Sequence, residues 1–89
     1  MLKPTIHLNG TNGEELLKAC RDAGEAIREA VGRVLAMAPN GRDYYPQGPG
    51  ALKIASDGHR AMIQSLEAVL AEVDALAIEI SDENGKRER

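Results

Sequence analysis

Asn40-Gly41-Arg42-Asp43-Tyr44-Tyr45 gathers groups that could hold an anionic, ring-bearing ligand, and it contains the only aromatic residues of the 89-residue chain. Asn40-Gly41 predicts a turn with positive φ, whose backbone N–H groups form a nest suited to an anion. Arg42 has the planar fork that grips phosphate with two bonds. Tyr44 and Tyr45 offer faces on which a nucleobase can stack. Asp43 can accept from an amino group or a ribose hydroxyl, or it can simply pin Arg42. A structural reading stands beside this one: the tyrosines cover the end of a helical hairpin and Arg42–Asp43 is an internal pair.

His59 and Arg60 are the other candidates. His59 falls on an apolar helical seam, where it either meets a backbone group or Asp57, or floors a pocket with Arg60 beneath the tyrosine loop. Neither His7 nor Cys20 has a helical spacing that pairs it with His59, so metal ligation is not expected. No Ser, Cys or Lys nucleophile has a base at recognisable spacing, and no paired carboxylates lie near the loop, so the sequence points to binding without catalysis. No cofactor is implied.

The elements that must position these groups are two long helices. Thr11 with Glu14, or Asn12 with Glu15, can cap the first, which is expected over residues 13–37. Leu16, Cys20, Ala23, Ile27, Ala30, Val34 and Met37 recur at steps of three and four, a heptad seam widened by Leu17, Val31 and Leu35. Pairs at i,i+4 (Glu14–Lys18, Arg21–Glu25, Glu29–Arg33) line the polar side. Gly24 and Gly32 suggest close helix approach. The second helix is expected over residues 51–80, with Ala55, His59, Met62, Leu66, Val69, Val73, Leu76 and Ile80 as its seam, widened by Ile63, Leu70 and Ala77. Between them, residues 38–50 form a connection longer than the roughly two to eight residues a hairpin needs, which marks a binding loop. Thr5-Ile6-His7-Leu8 alternates as a short strand, to pair with another copy or to lie extended on the helices. The expected organisation is an all-α antiparallel helical hairpin: a segment 1–12 with the strand, the hairpin 13–80, and a flexible charged tail 81–89.

The hydrophobic fraction is 43%, with no Phe and no Trp, and much of it is alanine. Small side chains bury little area at about 25 cal/mol per Å², so the missing stabilisation is expected from self-association. The net charge of −3 disfavours a nucleic-acid polymer. Its distribution is uneven: Arg28, Arg33, Arg42, Lys53 and Arg60 outnumber Glu29, Asp43 and Asp57 toward the loop. Residues 61–85 carry only acids. A small anionic ligand therefore fits the loop end. One cysteine and no apolar run of membrane-spanning length are read as a soluble, intracellular protein without a membrane partner.

Taken together, Asn9-Gly10-Thr11, the run Ala38-Pro39-Asn40-Gly41-Arg42-Asp43-Tyr44-Tyr45-Pro46-Gln47-Gly48, and His59-Arg60 on the second helix resemble the Thoeris anti-defence sponge proteins of the first type, a phage family. The resemblance spans roughly residues 9–80. It implies a non-enzymatic protein in the cytoplasm of the infected bacterial host. Such a protein sequesters cyclic ADP-ribose isomers or cyclic oligonucleotides without cleaving them. It implies homo-oligomers, a dimer or a dimer-based hexamer, with ligand pockets between subunits. By motif, Asn40, Arg42, Asp43, Tyr44, Tyr45 and Gln47 would contact ligand from the loop, and His59 and Arg60 from the second helix. The chain departs from the family in retaining only Thr5–Leu8 of an N-terminal sheet, and in having Gln64 one turn beyond Arg60. The competing function is a protein-interaction module that docks through the Tyr-Tyr loop.

Overall fold

The computed structural model of the chain describes residues 1–87. Helix α1 spans Gly13–Leu35, a four-residue helix α2 spans Gly41–Tyr44 and runs into a 3-10 turn at Tyr45–Gln47, and helix α3 spans Ala51–Arg87. The two long helices pack as an antiparallel hairpin measuring 63 × 19 × 18 Å. Its radius of gyration is 19.3 Å, against about 12 Å for a compact domain of this length. No helix among the described residues is long and apolar enough to cross a membrane.

Of the two possible caps, Asn12 is the one used. Its side chain accepts from the Glu15 N–H at 2.9 Å, satisfying one of the donors that a helix start leaves unpaired. The polar side follows its expected pattern in part. Arg33 reaches Glu29 at 3.4 Å, while Lys18 takes Asp22 at 2.7 Å and Glu14 instead accepts from Asn84.

Along the contact between helices, α3 turns His59, Ile63, Leu66, Leu70 and Ala77 toward α1, all half-buried. Met62 and Val69, expected on this seam, are each 47% exposed. The apolar stripe is wider than one neighbouring helix can cover, so only one line of it is used. Midway, Gly24 is buried, and a Cβ there would sit 3.8 Å from Leu70 Cδ1 and 3.2 Å from Arg28 Nη1. The gap to α3 is ordinary contact distance and the tighter neighbour is the movable tip of Arg28 on the same helix, so Gly24 sits inside the contact without close approach demanding a glycine there. Nor does close approach account for Gly32, which is exposed with nothing within 4 Å of a would-be Cβ.

Two expectations at the ends are corrected. Among the described residues no strand forms at Thr5–Leu8, because the chain supplies no second strand to complete a ladder. The segment lies extended along the helices instead: Ile6 is 6% exposed, and Lys3 Nζ stands 3.9 Å from Glu83 Oε2. In place of a charged tail from Ser81, α3 continues to Arg87. The start of α1 packs on that extra length, since Asn84 fills the space where a Cβ on Gly13 would stand and donates to Glu14 at 3.3 Å. Glu88 and Arg89, the last two residues of the expected tail, lie outside the described residues.

Gly32→Ala removes the helix-interior penalty of glycine without meeting any atom. It should stabilise the protein by about 0.5–1 kcal/mol, read as a raised thermal midpoint by circular dichroism.

Candidate functional site

After Leu35 the helix loosens into turns, with Met37 N–H bonding the Val34 carbonyl at 3.0 Å and Ala38 N–H the Leu35 carbonyl at 3.2 Å. Pro39 then favours an extended residue before it and an exit from the helix. Asn40 is extended at φ −122° and ψ 155° and caps α2. Its Oδ1 accepts from the Asp43 N–H at 3.1 Å, and its Nδ2 donates to Asp43 Oδ2 at 2.9 Å. This reciprocal pair, built like a capping box, replaces the positive-φ turn expected at Asn40-Gly41. Gly41 is helical, and a Cβ on it would lie 3.9 Å from Leu52 Cδ2.

The left-handed positions occur later, at Gly48 (φ 99°) and Gly50 (φ 88°). A side chain is disfavoured at such angles, so the two glycines around Pro49 set how the loop enters α3. Gly48 N–H closes the 3-10 turn on the Tyr45 carbonyl at 3.1 Å.

The loop thereby divides its residues. Tyr44 is half-buried and lines an open groove of about 460 Å³ with Gln47, Pro49, Ala51, Ile54 and Ala55. Tyr45 is 77% exposed. Arg42 is exposed and enters no ion pair among the described residues. Asn40 and Asp43 are committed to each other, so the Arg42–Asp43 pair does not form.

His59 and Arg60 do not floor this groove. His59 is half-buried against α1, where its Nε2 lies 2.6 Å from the Val34 carbonyl oxygen. A carbonyl only accepts, so Nε2 is the protonated nitrogen, and the bond fastens α3 to the last turn of α1. Arg60, one residue further and about 100° around the helix, is exposed and reaches Asp57 Oδ1 at 3.3 Å. Asp57 also accepts from Lys53 Nζ at 2.7 Å. The Lys53 hydrogen bond and charge, with a smaller contribution from Arg60, hold the Asp57 carboxyl below its ordinary value.

Of the eight expected site residues, the groove thus unites Tyr44 and Gln47, with Arg42 and Tyr45 unengaged on the same short loop. Ile54, Ala51 and Ala55 belong to the groove although sequence reasoning did not assign them. Ile54 carried the signal: a large apolar residue off the heptad seam, beside the loop, and 75% exposed. The lining contains no carboxylate, histidine, cysteine or lysine. An aromatic wall, an amide and an apolar floor suit binding of a planar group, with Arg42 available to a nearby anion. Comparison with protein-family models, curated proteins and solved structures gives no match.

Loss of the His59 bond strands the Val34 carbonyl's second lone pair and opens a gap. His59→Ala should cost about 1–2 kcal/mol in urea unfolding, and His59→Gln, which keeps a donor, should recover part of it. For Asp57, the depressed value means its contribution is fully present above the unfolded-state pKa and disappears as pH falls through the lower folded value. Lys53→Gln should move the Asp57 carboxyl titration upward by NMR, toward that of an unpaired aspartate.

Proposed function

We propose that the chain is a non-catalytic sponge for cyclic nucleotide signals, either cyclic ADP-ribose isomers or cyclic oligonucleotides. It would act by stoichiometric sequestration, as a homo-oligomer (a dimer or a dimer-based hexamer), in the cytoplasm of a phage-infected bacterium. One observation carries the reading. The loop spends Asn40 and Asp43 on its own shape, and so holds Arg42 and Tyr45 outward beside the Tyr44–Gln47 groove. A pre-shaped loop loses little freedom on binding, which a protein that must hold a scarce signal tightly requires. The Pro39-Asn40-Gly41-Arg42-Asp43-Tyr44-Tyr45 run supports it through the family resemblance. The groove is open to solvent, which fits a pocket finished by a second subunit. His59 enters this reading through the Val34 carbonyl, which ties α3 to the end of α1 from which the loop departs, while Arg60, exposed and paired with Asp57 on its own helix, stays outside the groove.

Tyr45 and Ile54, two exposed large side chains beside each other's elements, favour a second reading, in which the same loop docks on a partner protein.

The deciding experiment is retention. Purified protein is incubated with a panel of cyclic ADP-ribose isomers and cyclic di- and trinucleotides, filtered, heated, and the released material chromatographed. Intact ligand held back before heating and recovered afterwards is the expected result; an altered ligand would mean an enzyme. Free passage of every ligand would transfer the lead to the protein-partner reading. Arg42→Ala and Tyr45→Ala should each weaken retention about 10- to 100-fold, the worth of a charge-assisted bond or one stacked base. Helicity and oligomer mass should stay unchanged.

A further inference from the structure

Toward the end of the hairpin away from the loop, Met1–Pro4 border an apolar groove of about 460 Å³ between Ala19 and Ala23 of α1 and Val73 and Leu76 of α3. The N-terminal segment is extended, so its side chains alternate between two faces. One face carries Leu2, Pro4 and Ile6, and the other carries Met1, Lys3 and Thr5. Burial follows this alternation: Ile6 is 6% exposed and Pro4 is half-buried, while Lys3 and Thr5 are exposed. Leu2 breaks the pattern. It shares the face of Pro4 and Ile6 and stands at the rim of the groove, yet it is 92% exposed.

The geometry points to a strap: residues 1–6 close over the groove by turning Leu2 down between the two helices, so that the chain covers its own apolar floor. Three observations select Leu2 as the occupant. It is tethered beside the groove by Pro4 and Ile6, which are already set against the helices, so entering costs it little further freedom. The segment is also free to make the move. Among the described residues, 1–6 exchange no hydrogen bond with either helix, and Lys3 Nζ stands 3.9 Å from Glu83 Oε2 in a solvent-screened pair that resists motion weakly. Pro4 holds Lys3 extended, so the swing falls on the torsions of Leu2 itself. Finally, the floor suits a branched apolar side chain: Ala19 and Ala23 are short, and Val73 and Leu76 flank the space. Lys3, the charged residue of this lining, lies on the strap's opposite face with its ammonium beside Glu83. Closure would add Leu2 to a core in which Ile6 and Ile80 are the buried apolar side chains among the described residues. It would also withhold the groove from other apolar molecules, and it is independent of what the loop binds.

The test reads closure from a thiol on the groove floor. Cys20 also borders the charged groove lined by Arg21, Glu25, Arg28 and Asp74, so the probe is Ala19→Cys in a Cys20→Ser background. Leu2→Ser removes the closing side chain and, as a change at an exposed residue, leaves the hairpin folded. A maleimide should label the probe about threefold faster with Leu2→Ser than with native Leu2, the ratio given by a strap closed about two-thirds of the time. Leu2→Met, which keeps an apolar side chain, should retain the slow rate. In a second measurement on the otherwise native chain, Leu2→Cys should form a disulfide with Cys20 under mild oxidation, and Thr5→Cys, on the opposite face, should not. Intact mass separates a link within one chain from a link between two. Equal labelling rates with native Leu2 and Leu2→Ser overturn the strap, as does a disulfide formed equally well from Thr5→Cys. A link from Leu2→Cys found between chains alone overturns closure of the groove by its own chain.

Discussion

The shortage of large apolar side chains governs this molecule. With no Phe or Trp, α1 and α3 cannot lock together by interdigitating bulky groups, and they meet instead along a line of Leu, Ile and small residues with Gly24 at its midpoint. Such a line tolerates sliding. What opposes sliding is a set of polar fasteners spread along the hairpin. Near the loop stands His59 on the Val34 carbonyl. In the middle, the Arg28 guanidinium lies 3.2 Å from both Asp74 oxygens. At the far end Asn84 bonds Glu14. The two exposed pairs are worth about 1 kcal/mol or less each and the half-buried His59 bond about 1–2 kcal/mol, too little to create the fold. They are enough to choose one alignment of two helices over its neighbours, one turn away.

That alignment matters because the loop is anchored at both ends to it. Between the anchors the loop needs no core of its own. Asn40 and Asp43 bond each other, the ring of Pro46 fixes φ within the 3-10 turn, and Gly48 and Gly50 accept angles that other residues resist. All of these constraints act over a few residues, so the loop's shape survives in a molecule with almost no interior. The division of labour follows directly. Polar groups that bond within the loop hold the shape, and those left over, Arg42 and Tyr45, remain available.

Both long helices, their antiparallel return and the loop were legible in the sequence, because heptad spacing, Pro39 and the glycine–proline cluster are local signals. The exit of α3 at Arg87 was not. Ser81-Asp82-Glu83-Asn84-Gly85 reads as a helix end by composition, and only the docking of Asn84 on Gly13, a contact between distant residues, extends it. Asn40-Gly41 failed for a related reason: the dipeptide favours a tight turn, but Asp43 three residues on converts Asn40 into a helix cap. His59 shows the limit at the site. Its position on the seam was legible, yet nothing in the spacing could tell a pocket wall from a bond to the Val34 carbonyl, which depends on how the helices align. The strand at Thr5–Leu8 had the right alternation and no partner to satisfy it.

The same helix serves the core and the groove at different points along its length. Near the loop, Ala51, Ile54 and Ala55 line the groove beside Tyr44. Further on, Val73 and Leu76 line an apolar groove against Ala19 and Ala23 of α1, bordered by Met1–Pro4. Between them Met62 and Val69 stay 47% exposed, because one neighbouring helix covers only one line of a wide apolar stripe. In a chain with large interior side chains that stripe would be filled from within. Here the small residues that keep the core thin also leave the groove beside the loop open.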